Sequence, residues 1–247
     1  MIGALSDIGN HRKVNEDFLG YYKDDYKKIY IMADGMGGHN AGEIASKLAV
    51  DSIIEFINSK ASIENLENAL IEAIKYANKK IYEVSKTDLS FYGMGTTVTA
   101  CLISNSQMAV ANVGDSRCYI INSQGIVQIT KDHSLVQELV DNGSITQEEA
   151  EVHPNKNIIT RSLGTSPKVE VDTLLLDLNT VFKVILCSDG LSNSVNSKEM
   201  LSIVETENHE TACKELVELS KQRGSRDNIS VIVFEGECKD DRDFTGK

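Results

Sequence analysis

"KKIYIMADGMGGHNAGEIASKLAVDSIIEFINS", residues 27–59, decides the fold. An apolar run at 29–32 predicts a strand that ends on one carboxylate, Asp34. Gly35, Gly37, Gly38 and Gly42 then carry no side chain, with Met36, His39 and Asn40 between them. Beyond them, apolar residues at 44, 45, 48, 49, 53, 54, 56 and 57 keep the 3.6-residue period of a long amphipathic helix. The unit is therefore strand, glycine-rich turn, helix. Upstream, "IGALSDIG" and "DFLGYYKDD" read as short strands. Downstream, Leu66, Leu70, Ile74, Ala77, Ile81 and Val84 mark a second helix, with Ser62 read as its N-cap. Four strand-like runs follow, "GTTVTACLIS", "QMAVANVGD", "SRCYIINS" and "GIVQIT". A polar stretch near 131–157 predicts one or two short helices, and "VEVDTLLLDL" and "VFKVILCSDG" return to strand. Two helices near 197–223 and the strand "NISVIVFEG" complete the chain before the charged tail "CKDDRDFTGK". Strands in series, broken by pairs of long helices, predict one α+β domain with sheet packed on sheet and helices over the outer faces. The strict strand–helix alternation of a dinucleotide-binding fold is not present.

The 247 residues are 41% hydrophobic, enough for a sizeable core. No apolar run reaches the roughly 20 residues of a membrane span. The opening "MIGALSDIGNHRK" lacks the basic-then-apolar pattern of a secretory signal. Five cysteines, an odd number with no CxxC, read as buried reduced thiols of a cytoplasmic protein. The Asn-x-Ser matches at Asn142 and Asn228 then carry no glycosylation meaning. A net charge of −12 argues against a nucleic-acid binder. It fits either a solvated acidic surface or carboxylates that converge on bound cations.

Aspartates recur at the ends of apolar runs: Asp34 in "IYIMAD", Asp115 in "AVANVGD", Asp189 in "KVILCSD", with Asp227 just ahead of the last strand. One Asp-Gly is a turn signal. Four carboxylates at one rim raise each other's pKa and require cations. Oxygen-only donors suit Mg²⁺ or Mn²⁺, and a glycine such as Gly35 lets its carbonyl join them. The spacing after Asp34 excludes an EF-hand, and "GMGGHN" breaks the phosphate-loop pattern. Arg12 lies close to Asn15, Glu16 and Asp17, and its planar fork suits a phosphate held against metal. No cysteine sits in a CxxxxxR loop, which disfavours a phosphocysteine route.

In order along the chain, "SDIGNHRKVNED", "ADGMGGHNAGEIAS", "GTTVTA", "ANVGDSRCY", "TKDHSLVQELVDNG", "ITRSLG", "ILCSDGLSN" and "SRDNISVIVF" resemble the bacterial metal-dependent serine/threonine protein phosphatases of the type 2C-like (PPM) family. The resemblance spans about residues 1–235 and implies a four-layer α-β-β-α sandwich of two antiparallel sheets. It implies a catalytic domain over 1–238, a flap insert at about 131–160, and a tail at 239–247. Asp34 would bridge two Mn²⁺ or Mg²⁺ ions, Asp189 and Asp227 would complete the first, and the Gly35 carbonyl would bind the second. Asp115, with Asp189, would help hold a third ion, Glu16 would be an outer ligand, and Arg12 would hold the phosphate. Many bacterial relatives carry Gln in place of Glu16. Animal relatives carry a histidine, proposed as general acid, where this chain has Met36, which cannot transfer a proton. Two acids stay open for the leaving alkoxide: a water on the metal, and His39.

The implied activity is hydrolysis of phosphoserine and phosphothreonine on proteins by a metal-activated water, reversing a bacterial membrane serine/threonine kinase. The implied protein is a cytoplasmic monomer that neither inserts in the membrane nor binds nucleic acid. The alternatives are a phosphatase dedicated to one regulatory phosphoprotein and a non-catalytic phosphoprotein-binding relative. Arg12, Asp34, Asp189 and Asp227 are all present, which weighs against the latter.

Overall fold

A computed structural model describes residues 1–37 and 41–238; His39 and the tail at 239–247 lie outside the described residues. One sheet has the order β1 (Ile2–Asp7), β11 (Ile229–Glu235), β10 (Lys183–Cys187), β7 (Arg117–Asn122), β8 (Gly125–Gln128). The other has β2 (Asp17–Lys23), β3 (Lys28–Met36), β5 (Val98–Ser104), β6 (Gln107–Val113), β9 (Asp172–Asp177), and short β4 (Gly95–Thr96) pairs with the end of β3. All these pairings are antiparallel.

The period of two along β3 sorts its residues between layers. Ile29, Ile31 and Ala33 pack under α1 (Ala41–Ser59) and α2 (Leu66–Val84), against Ala45, Ile53, Leu70 and Ile74. Tyr30 and Met32 face the second sheet, where they join Cys118, Ile120, Leu186, Ile232 and Phe234. The Tyr30 and Phe234 rings stack with centroids 3.9 Å apart. On the far face, Ile185, Val231 and Val233 carry α6 (Ser197–Thr206) and α7 (His209–Gln222) through Met200, Val204, Leu216 and Val217. The α+β sandwich with helices on both outer faces is thus the observed architecture.

Two local expectations are corrected. Asp34 does not end its strand: β3 runs on to Met36, because β4 supplies Thr96 and Gly95 opposite Gly35 and Met36. The second helix is capped by Asn65, whose side chain accepts the Asn68 N–H at 2.8 Å, and not by Ser62. Ile63 packs against the helix–sheet core from outside the helix, so the helical phase starts only at Leu66. Among the described residues no disulfide forms; Cys101 and Cys118 bring their Sγ atoms within 3.8 Å of each other across the two sheets. Among the described residues, no helix is long and apolar enough to cross a membrane.

Candidate active site at the carboxylate rim

Between the two sheets the chemistry changes in steps toward one end. Beyond the apolar layer of Met32, Cys101, Leu186 and Phe234 comes a buried set of hydroxyls: Thr97, Thr99, Ser116, Ser188 and Ser230. They are internally paired, as a buried polar layer must be. Thr97 and Ser116 hydroxyls lie 2.9 Å apart; Thr99 donates to Asn112 Oδ1 at 2.6 Å; Ser188 Oγ accepts the Ser230 N–H at 3.0 Å. The carboxylates begin beyond this layer.

Asp34 shares the face of Tyr30 and Met32, so the pleat delivers it to the rim between the sheets. Its backbone is fixed three ways: its N–H donates to Thr97 Oγ1 at 3.0 Å, and its carbonyl accepts the Thr97 N–H at 2.8 Å and the Thr96 hydroxyl at 2.9 Å. Asp17 stands opposite it in the β2–β3 register and is nearly fully buried, with Oδ2 accepting the Ser188 hydroxyl at 2.8 Å. Asp189 opens the short helix α5 (Asp189–Ser192), and Asn193 donates to its Oδ2 at 3.1 Å. Asp115 follows β6 and is also buried. Asp227 precedes β11 and pairs with Arg12, 2.7 Å from Oδ2 to the guanidinium.

Gly35 can only be glycine. A Cβ there would sit 2.1 Å from the Gly42 carbonyl oxygen and 2.6 Å from that of Glu16. The Gly35 N–H donates to the Glu16 carbonyl at 3.0 Å, and the Glu16 carboxylate accepts the Gly42 N–H as α1 begins.

Burial, then mutual repulsion, dominates the electrostatics. Asp34 is pushed well above the carboxylate range by burial, then by Asp17, Asp189, Asp115 and Asp227. Burial pushes Asp115 up to about 8, with Asp189 and Asp132 adding to it. Asp17 rises to about 7, again through burial, and the Ser230 and Ser188 hydroxyls hold it back. Asp189 rises to about 6 through burial and Asp227. Glu16 is raised by burial against the opposing pull of Arg12. The Arg12 guanidinium is itself raised: burial acts against it, but Asp227, Glu16 and Asp34 prevail.

Three buried oxygens here, Asp17 Oδ1, Asp115 Oδ1 and Asp189 Oδ1, have no hydrogen-bond partner. Among the described residues, no three carboxylate, imidazole or thiol side chains already form a closed ligand cage. The donor set nevertheless fits hard divalent ions: unpartnered carboxylate oxygens and mutual repulsion among the aspartates.

From Asp115 and Asp189 a cleft of about 510 Å³ runs out between α4 (Gln147–Glu151) and residues 192–197. Arg117 and Asp132 form a bidentate pair at its floor, with contacts of 3.0 and 2.7 Å. Residues 131–160 carry α3 (Leu135–Asp141), capped by Ser134, and α4, closed by a capping box between Thr146 and Glu149. His133 holds the base of this segment. Its Nδ1 accepts the Gly114 N–H at 3.0 Å, which places the neutral proton on Nε2, facing Asp172 Oδ2 at 3.1 Å. Arg161 pairs with the same Asp172 at 2.6 Å.

The protein phosphatase 2C family profile matches residues 10–229. The chain belongs to the protein phosphatase 2C family. It is 39% identical over 247 residues to the serine/threonine phosphatase stp of Listeria monocytogenes serotype 4b, covering 98% of this chain and 96% of that one. The crystal structure of serine/threonine phosphatase Stp1 from Staphylococcus aureus superposes with a TM-score of 0.90 at 38% identity, covering 95% of each chain. The catalytic domain of the serine/threonine protein phosphatase PstP, solved in complex with two manganese ions, gives a TM-score of 0.82 at 33% identity, covering 94% of this chain and 96% of that one.

The structure brings Arg12, Glu16, Asp34, Gly35, Asp189 and Asp227 into one electrostatic neighbourhood, with Asp115 on its cleft side. Met36 ends β3. Sequence reasoning passed over Asp17 as a site residue of this phosphatase 2C chain. The available signal was its position: "DFLGYYK" alternates like a strand, and antiparallel pairing with the next strand sets Asp17 against Asp34.

Proposed function

We infer that this protein phosphatase hydrolyses phosphoserine and phosphothreonine on proteins, with divalent ions held at the carboxylate rim. The observation that carries the reading is the set of buried, mutually repelling aspartates with three unpartnered oxygens, a concentration of negative charge that calls for cations. Asp34, the Gly35 carbonyl, Asp189 and Asp227 would hold two ions, with Glu16 as an outer partner, and Asp115 with Asp189 would hold a third. Mn²⁺ and Mg²⁺ both suit these oxygen donors. Bound there, such ions would supply Lewis acidity toward the phosphoryl oxygens and make a water acidic enough to act as nucleophile near neutral pH.

The chain's own residues set the geometry. Arg12 presents a guanidinium fork for two phosphoryl oxygens, and its pairing with Asp227 keeps it at the rim before substrate arrives. Asp17, held by Ser188, orients solvent at the rim from below. His39, as a proton donor to the leaving alkoxide, remains part of the proposal. Residues 131–160 act as a flap beside the cleft, which takes the polypeptide flanking the phosphoresidue. The wider setting we propose is a cytoplasmic monomer that opposes a membrane serine/threonine kinase.

The test is phosphate release from a phosphothreonine peptide with EDTA, Mg²⁺ or Mn²⁺, comparing the wild type with Asp189→Ala. Metal-dependent release that collapses in the variant supports the reading. A wild type that binds metal yet releases nothing from any phosphopeptide or phosphoprotein defeats it.

A further inference from the structure

We propose that Asn228 is a positioning residue: its buried amide ties the loop bearing Arg12 and Glu16 to Asp227, and so sets the phosphate grip relative to the rim. The proposal rests on the reading of Arg12 as the phosphate ligand. Asn228 is 3% exposed, and its side chain spends both donors and its acceptor on one loop. Nδ2 donates to the carbonyls of Ile8 and Val14, each at 3.0 Å, and Oδ1 accepts the Glu16 N–H at 2.9 Å. Its own main-chain N–H donates to Asp227 Oδ1 at 2.8 Å.

The packing leaves no slack. A Cβ on Gly9 would lie 2.3 Å from the Asp227 carbonyl oxygen, and one on Gly190 would lie 2.0 Å from that of Asn228. The loop at 8–16 and the turn after Asp189 therefore both pack against the main chain at Asp227 and Asn228, and the Asn228 side-chain amide ties the loop there. Residues 8–16 form neither strand nor helix, so side-chain ties must hold them. The Arg12 side chain is 45% exposed, and its contacts to Asp227 and to the Arg226 carbonyl are ones that a phosphate would compete with. Asn228 reaches both flanks of Arg12, at Ile8 and at Val14 and Glu16, from a buried position.

Asn228→Asp keeps the shape but sets an acceptor against two carbonyls; Asn228→Ser shortens the side chain and serves if the aspartate variant does not fold. The probe is inorganic phosphate binding to the Mn²⁺-loaded protein by calorimetry, with folding checked by circular dichroism. Both variants are expected to weaken phosphate binding about 10- to 100-fold. Arg12→Ala should also weaken it, and Asn228→Asp added to Arg12→Ala should cost no more than about twofold further, the signature of action through Arg12. Asn78→Ser is the control for lost stability alone. Asn78 is as buried, donating to the Ser166 carbonyl at 3.0 Å and accepting the Gly164 N–H at 2.8 Å, and its variant should bind phosphate normally.

The proposal falls if the Asn228 variants bind phosphate like wild type while Arg12→Ala does not. It also falls if the Arg12 and Asn228 losses simply add, or if Asn78→Ser weakens binding equally. An Arg12→Ala protein with full phosphate affinity would instead refute the role given to Arg12, and this proposal with it.

Discussion

The carboxylate rim and the segment at 131–160 face each other across one cleft, yet they are held by opposite means. Backbone register and a buried hydroxyl layer fix the rim: β2 against β3, β3 against β4, and Thr97, Ser188 and Ser230 beneath the aspartates. The helices of the insert bury only Val136 and Ala150. Its order comes from its base, through Arg117–Asp132, His133 on Gly114 and Asp172, and Arg161 on Asp172. A rim so over-determined can hold repelling charges in place without their counter-ions. The insert is held mainly by polar ties at its base and by few buried side chains along its helices.

The largest break in this comparison comes at the rim. Asp189→Ala is expected to lower kcat/KM on p-nitrophenyl phosphate by at least about 10³-fold. In EDTA the same variant should melt higher than wild type, because it removes a repelling buried charge. A lower metal-free Tm would show that the rim is not strained by its charges.

Gly35→Ala comes next. Its methyl group meets two main-chain oxygens that cannot yield, so a loss of about 3 kcal/mol is expected in urea unfolding. A near-neutral result would mean that β3 and α1 are free to separate.

The pH dependence sharpens the contrast. In the metal-free protein Asp17, Asp115 and Asp189 titrate at about 7, 8 and 6, above their unfolded values. The folded state then binds more protons than the unfolded one from about pH 4 upward. The stability these three groups contribute should therefore fall as pH rises through that window and be lost above about pH 8, with Asp34 acting in the same direction. Saturating Mn²⁺ should flatten the slope; a flat profile in EDTA would contradict the raised pKa values.

At the insert the effect is smaller and local. Asp132→Ala strands Arg117 and should cost about 2 kcal/mol, with faster amide exchange at 131–160 than at β3 or β5. Uniformly faster exchange would mean that the insert and the rim unfold together. The smallest effect belongs to the exposed Lys80–Glu55 pair on the outer helices, where Lys80→Ala should move Tm by less than about 2 °C.

The layer order and nearly every strand and helix were legible because apolar periodicity reports directly on burial. Asp34, Asp115, Asp189 and Asp227 were legible because strand flanks, and for the first three a neighbouring glycine, set them apart, whereas Asp17 was not. The hydroxyl layer was not: Thr97 and Thr99 in "GTTVTA" look like ordinary strand formers, and only the pairing of the sheets places them under Asp34. Asn228 was hidden for the same reason, since its partners lie more than 200 residues away and its neighbours spell a glycosylation signal. Long-range register, which no local pattern encodes, accounts for both.

The pairing of β1 with β11 reaches beyond the finished molecule. Arg12 meets Asp227 only across 215 residues of chain, and β11 lies between β1 and β10 in its sheet. On the ribosome, a growing chain that already carries Arg12, Asp34 and Asp115 therefore cannot assemble the proposed centre until Asp227 and β11 emerge from the exit tunnel. Vectorial synthesis thus acts as a timer: the polypeptide gains its chemistry in one late step instead of by increments.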